Sequence, residues 1–264
     1  MKLGVNTVLF KPFTAREAFD AVKLAGYDGV ELSAIAGMCE HLVLDEWRES
    51  AREIRDAADA TGLELLSMEV AALDEARLRK AFEAAAYLGV PIVNVGPGGK
   101  SDVEADMAEC IATLAARALM AAEYGVILCV KAHVGGAIYS TPTTLAAMAE
   151  IGLDSFGIDM DPSHIHRAGE RPEEAIKAVI ARVKHIHIRD CKGAGPSPGS
   201  PMEQACGRGD IDLYGYFKEL VCADYQGPVC LEVIGPDQSL QQAQAIASES
   251  YGYMNACLKM LGTR

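Results

Sequence analysis

Apolar residues in this chain recur in two alternating rhythms. Short runs rich in Val, Ile and Leu, closed by Gly or Pro, read as buried strands. The longer segments between them, with apolar positions three and four apart, read as helices. Lys2 to Val8 is the first strand, and Thr14-Ala-Arg-Glu17 is a capping box opening a helix that reaches about Ala25 and stops at Gly26. Asp28 to Leu32, Leu63 to Met68, Pro91 to Val95, Val126 to Val130, Phe156 to Met160, Val183 to Ile188 and Pro228 to Val233 continue the strands. Helices are expected from Asp45, Leu78, Asp102, Thr141, Arg171 and Asp212, several closed by glycine as at Gly62, Gly89 and Gly125, and Ser239 to Leu261 is the last.

Eight strands alternating with eight helices, the strands apolar enough to be covered on both faces, predict an α/β fold: one (β/α)8 TIM barrel forming a single domain over residues 1–264. An open doubly wound sheet is the alternative. Against it, the first strand leads into Phe10-Lys-Pro-Phe13, which is no glycine fingerprint for a dinucleotide. Gly96-Pro-Gly-Gly99, after the fourth strand, lacks the Lys-Ser/Thr of a P-loop and reads as backbone that must approach something closely. The segment from Asp190 to Asp210 is too long for a connector and is expected to be an active-site loop.

Composition narrows the classes. At 264 residues and 50% hydrophobic, the chain can bury a large core in one domain. A formal net charge of -13 and the lack of any basic stripe argue against nucleic acid and anionic membranes as partners. No uncharged apolar stretch is long enough to span a bilayer. The amino terminus, interrupted by Asn6 and Thr7 and without a small-residue cleavage site, reads as a strand and not a signal peptide. Eight cysteines with no C-x-x-C pair are expected to be reduced thiols of a cytoplasmic protein.

In a closed barrel the chemistry belongs at the carboxyl ends of the strands. Four consecutive strands end there in ionisable groups: Lys131 and His133, then Asp161 and His164, then His185-Ile-His187-Ile-Arg-Asp190, then Glu232. Strand alternation puts Lys131 and His133 on one face, and likewise His185 and His187. One such residue is ordinarily a satisfied structural group. Four strands in succession point to a binding or catalytic centre, because unpaired buried charge is costly. Asp161 and His164, either side of Pro162-Ser163, can converge on one divalent cation or one polyhydroxylated ligand; alternatively Asp161 caps a turn and His164 packs beneath it.

Asp161-Pro-Ser-His164, His185-Ile-His187-Ile-Arg-Asp190, Gly207-Arg-Gly-Asp-Ile-Asp212 and Gly227-Pro-Val-Cys-Leu-Glu232 together resemble the sugar isomerase and epimerase group of xylose-isomerase-like TIM barrels. That group includes ketose 3-epimerases, hydroxypyruvate isomerase and inosose dehydratase. The resemblance implies a divalent metal (Mn, Mg, Co or Zn) held by Glu, Asp, His and Glu at the ends of strands five to eight. Asp161, His187 and Glu232 match the last three, while Lys131 stands where the family carries the first Glu. In the family the two glutamates are also implied to be the acid and base that move a proton beside a carbonyl, so Lys131 removes a ligand and a base together. Three readings of Lys131 stay open. Its ammonium fills the metal's place between Asp161 and Glu232; it is a desolvated base or Schiff-base nucleophile; or the barrel is non-catalytic.

The function so implied is a sugar or sugar-derivative isomerase or epimerase. The alternatives are a dehydratase of a keto-sugar or inosose, and a sugar-binding barrel without turnover. Glu232 is the expected base and Lys131 the second acid/base or electrostatic stabiliser, with His133, His164 and His187 on the hydroxyls of a small carbohydrate. Arg208 meets a substrate carboxylate or phosphate, or is simply solvated. Glu31, Glu69 and Asn94 are candidates for substrate selection and equally for structure. The resemblance also implies a homodimer or homotetramer.

Overall fold

The structure is a computed structural model that describes residues 1–264. β1 (Lys2–Asn6) and β2 (Gly29–Ile35) pair in parallel, and β3 (Cys39–Glu40) folds back antiparallel on the end of β2. β4 (Glu64–Ala71), β5 (Ile92–Val95), β6 (Ile127–Lys131), β7 (Phe156–Asp159), β8 (Val183–Ile188) and β9 (Pro228–Leu231) extend the parallel sheet in order, and β9 returns to β1. With β3 set aside, eight parallel strands close into a barrel, as the strand rhythm predicts.

The helices are α1 (Ala15–Ala25), α2 (Trp47–Thr61), α3 (Glu75–Leu88), α4 (Glu104–Glu123), α5 (Thr141–Glu150), α6 (Pro162–Arg167), α7 (Pro172–Val179), α8 (Leu213–Cys222) and α9 (Leu240–Met260). Thr14 and Glu17 form the predicted capping box at α1, and α1 to α3 each end at a glycine in the left-handed conformation, Gly26, Gly62 and Gly89. Two local features depart from expectation. β1 stops at Asn6 and not at Val8, because the Asn6 side chain accepts the Val8 N–H and turns the chain into a 3-10 helix over Thr7–Phe10. Past β7 the chain coils into α6 and forms more than a turn: Pro162 sits at its first position and Asp161 Oδ1 accepts the Ser163 N–H at 2.8 Å.

The barrel interior is unusually polar for a fold normally filled with branched aliphatics. Its amino-terminal end is tight. A Cβ on Gly4 would lie 2.7 Å from Leu66 Cδ1 and 2.8 Å from Cys230 Sγ, and one on Gly29 only 2.4 Å from the Glu64 carbonyl oxygen. The β2–β4 register passes from Val30–Leu65 to Glu31–Ser67, so Leu66 is the extra residue of a bulge. A second bulge follows Glu69, where pairing resumes at Ala71, a non-glycine residue with φ of 63°. No helix is long and apolar enough to cross a membrane.

Candidate active site

Strand alternation carries a set of charged side chains toward the barrel axis: Lys131 from β6, Asp159 from β7 and Asp161 just past it, His185 and His187 from β8 with Arg189 beyond, and Glu232 past β9. All are buried. Above them a cavity of about 490 Å³ opens at the carboxyl ends of the strands, its polar lining formed by Glu69, Lys131, His133, His164, Arg189 and Glu232. The Gly96–Gly99 loop forms part of the wall. What its backbone approaches is the loop after β6: Gly98 O accepts the Ala137 N–H at 2.9 Å, and a Cβ on Gly136 would meet Pro97 at 2.7 Å.

Lys131 is the hub of the cavity floor. Its Nζ donates to Glu232 Oε1 at 2.8 Å and to Glu69 Oε1 at 3.1 Å, and lies 3.2 Å from His187 Nδ1. Burial works against its charge, but Glu232 and Glu69 outweigh that and hold the ammonium protonated. The two carboxyls are driven apart. Burial and the nearby Glu232 push Glu69 up to about 7. Glu232 is buried as deeply, yet Lys131 and Arg189 hold it well below the usual carboxylate range.

Arg189 forms the other half of the floor. Nε donates to Ser163 Oγ at 2.8 Å and Nη2 to Asp161 Oδ2 at 2.9 Å, while Nη1 stands 3.2 Å from Glu232 Oε2. At the mouth the His133 and His164 rings lie 4.1 Å apart, centroid to centroid. His164 Nδ1 accepts the Val134 N–H at 3.1 Å, and burial together with the Arg189 charge keeps this ring neutral.

Beneath the floor, His187 is clamped between acids, with Nδ1 2.6 Å from Asp159 Oδ2 and Nε2 2.5 Å from Glu31 Oε2. Burial alone would deprotonate it, but Asp159 and Glu31 raise its pKa well above that of an ordinary histidine. His185 bonds Asp159 Oδ1 at 2.9 Å and Ser67 Oγ at 2.8 Å. Asn6 donates to Glu31 and Glu69, and Asn94 to Glu31.

Residues 19–257 match the sequence model of the xylose isomerase-like TIM barrels. The chain belongs to the xylose isomerase-like TIM barrel family. Among solved structures it is similar to a D-tagatose 3-epimerase-like protein, at 17% identity and TM-score 0.79 over 99% of this chain and 98% of that one. A D-allulose 3-epimerase from Methylomonas sp. matches at 17% identity and TM-score 0.77, with 98% of each chain covered. The protein described as "probable 3-DHS dehydratase AsbF" from Bacillus anthracis matches at 17% and TM-score 0.78, covering 97% of this chain and 99% of that one. A search of curated proteins finds no match.

In this xylose isomerase-like barrel, Lys131, His133, His164 and Glu232 line one cavity, while Asp161 and His187 lie behind its floor. Arg208 is turned away from it: its Nε pairs with Glu249 Oε1 on α9 at 2.7 Å in solvent. The loop from Asp190 to Asp210 likewise supplies no residue to the lining. Three residues at the centre were not singled out by sequence reasoning or were left undecided. Arg189 and Asp159 each continue an alternating series that the sequence displays, 185-187-189 and 159-161, and Glu69 precedes a bulge that only pairing reveals.

Asp159, His185 and His187, and also Glu31, Glu69 and His187, bring one donor atom each within 4.8 Å of one another, a spacing that could hold one metal ion. The set that the family resemblance implies, Asp161, His187 and Glu232, does not fit a divalent cation as it stands. Arg189 lies against both carboxylates, Lys131 against Glu232, and His187 has both ring nitrogens on acids. Nitrogen that faces an acid as an N–H donor has no lone pair for a metal.

Proposed function

We propose that this protein is an isomerase or epimerase of a small carbohydrate, acting by proton transfer on a carbon next to a carbonyl. The observation that carries the reading is the Lys131 bridge between two buried carboxyls, one held ionised and one titrating near neutrality, on the floor of a polar cavity. Two titratable groups pushed apart by their surroundings are what an acid–base pair needs. Glu232 takes the proton from carbon, the C–H electron pair forms the double bond, and the carbonyl pair moves onto oxygen. Lys131 faces that growing charge. Glu69 returns a proton to the same carbon from its other side as the oxygen's pair re-forms the carbonyl, or to the neighbouring carbon as the adjacent hydroxyl passes its proton to the first oxygen and becomes the new carbonyl. His133 meets substrate hydroxyls at the mouth, where His164 is held by the Val134 N–H and by Arg189, and His187 braces the floor from below. The epimerases among the structural relatives support this reading at the level of fold.

A dehydratase is the second reading, favoured by the protonatable state of Glu69, which could deliver its proton to a leaving hydroxyl after the same first step. Eight free cysteines agree with a cytoplasmic site of action. The test is incubation of the full chain with a panel of ketoses, keto-acids and inososes in deuterated buffer, followed by NMR. The expected result is a rearranged sugar with deuterium beside the carbonyl. A product short of one water would favour the dehydratase. Tight binding with neither product nor exchange would leave a sugar-binding barrel.

A further inference from the structure

Arg189 is among the largest fully buried side chains of the protein, at 1% exposure. A guanidinium taken out of water has to be fixed by partners, and two of its nitrogens are, on Ser163 and Asp161. The third is not. Nη1 lies 3.2 Å from Glu232 Oε2, yet neither atom makes a hydrogen bond. Both atoms are sealed from solvent, so guanidinium and carboxylate meet as an ion pair under the cavity floor, with no room for a further ligand between them. Lys131 completes the arrangement from the other carboxylate oxygen, Glu232 Oε1, at 2.8 Å.

Arg189, and not Lys131 as the sequence suggests, bridges Asp161 to Glu232, while Lys131 bridges Glu232 to Glu69, so two fixed positive charges, the charge of a divalent ion, stand among these carboxyls. The swap is sterically complete. A cation reaching Asp161 Oδ2 would have to expel a guanidinium that Ser163 anchors, and would then face the Lys131 ammonium. We propose that Arg189 and Lys131 together replace the divalent cation, so that the protein binds no metal at this centre and uses fixed side-chain charge in its place toward an uncharged sugar. The floor carries Glu69, Asp161 and Glu232 against Lys131 and Arg189, which leaves no surplus positive charge for a phosphate or carboxylate.

The catalytic use of that fixed charge rests on the proton-transfer reading; the replacement of the cation does not. The test therefore has two arms. In the first, native protein is dialysed against a chelator, analysed for metals, and titrated with Mn2+ by calorimetry. The expected result is well under one equivalent of divalent metal, no saturable binding of Mn2+, and a gain of at least about tenfold in Mn2+ affinity for Lys131→Glu combined with Arg189→Met. Stoichiometric metal that survives the chelator, or a native melting temperature raised by Mn2+, overturns the proposal, and this holds even if the double variant fails to fold. In the second arm, Arg189→Met should slow deuterium exchange by about 100-fold or more, as loss of a fixed positive charge near the developing oxyanion does. Exchange unchanged by Arg189→Met would show that its charge does not stand in for the cation in the reaction. No exchange by the native protein would count against the proton-transfer reading instead, leaving the cation replacement to the metal analysis.

Discussion

Glu69→Gln should flatten the acid-side pH dependence of the protein's stability. Glu69 is 3% exposed, accepts from Asn6 Nδ2 at 2.6 Å and from Lys131 at 3.1 Å, and has its carboxyl raised to about 7 from the usual 4.5. A carboxyl with a higher pKa folded than unfolded binds its proton more tightly in the folded state. Its contribution to stability is therefore complete below pH 4.5 and is lost as pH rises through about 7. The gap between 4.5 and 7 corresponds to about 3 kcal/mol. For 264 residues, an unfolding entropy of about 2.1 cal/mol/K per residue converts that to about 6 °C in Tm. Glutamine keeps the shape and an oxygen for Lys131, and carries no charge at any pH. The Tm of the variant should match the native value near pH 4.5 and exceed it by about 6 °C once the pH passes 7. Scanning calorimetry across that range reads the difference directly. Parallel curves would show that Glu69 is an ordinary ionised partner of Lys131, and the division of labour between Glu69 and Glu232 would have to be abandoned.

Lys131→Met leaves two buried carboxyls without their shared counter-ion and should cost about 3–5 kcal/mol at neutral pH, less at pH 5 where the pair can take up a proton, as urea unfolding at both pH values would measure. The same variant should lose deuterium exchange. Gly29→Ala puts a Cβ 2.4 Å from a backbone oxygen that cannot retreat, and should lower stability by about 1–3 kcal/mol, read as a drop in Tm. Arg208→Ala should leave turnover of whichever sugar proves to be the substrate unchanged, because its partner Glu249 lies in solvent away from the cavity; a fall in kcat/KM would place it in the site after all.

The fold was legible because its signals are local. Buried strands of Val, Ile and Leu and helices closed by Gly26, Gly62 and Gly89 write the βα repeat into the sequence. α6 escaped because Pro162 reads equally as the stop of a strand and the start of a helix, and the helix is too short to show a period. In the site, Lys131 and Glu232 could be picked out by position alone, as charges at the ends of buried strands. Their surroundings could not. His187 meets Glu31 from 156 positions away, and Glu69 meets Lys131 from 62, pairings that depend on closure of the barrel and leave no trace in spacing. Arg189 was the avoidable omission, since alternation from His185 and His187 carries it to the same face. Arg208 lies on a loop with no periodic frame, so nothing in the sequence said which way it would turn.

Gly4 and Gly29 admit no side chain because Leu66 presses against both, with Cys230 on Gly4 and the Glu64 carbonyl on Gly29, and this stopper shuts the amino-terminal end of the barrel. A vessel with one door imposes an order on its traffic. A sugar that enters at the mouth must leave by the mouth, so the two isomers of a reversible conversion would queue for the same doorway, each a competitive inhibitor of the other. Solvent protons have no back entrance either. A proton lifted from carbon by Glu232 while the sugar covers the opening has nowhere to go until the product leaves, so deuterium would enter the sugar only by way of Glu69, loaded from the medium between turnovers.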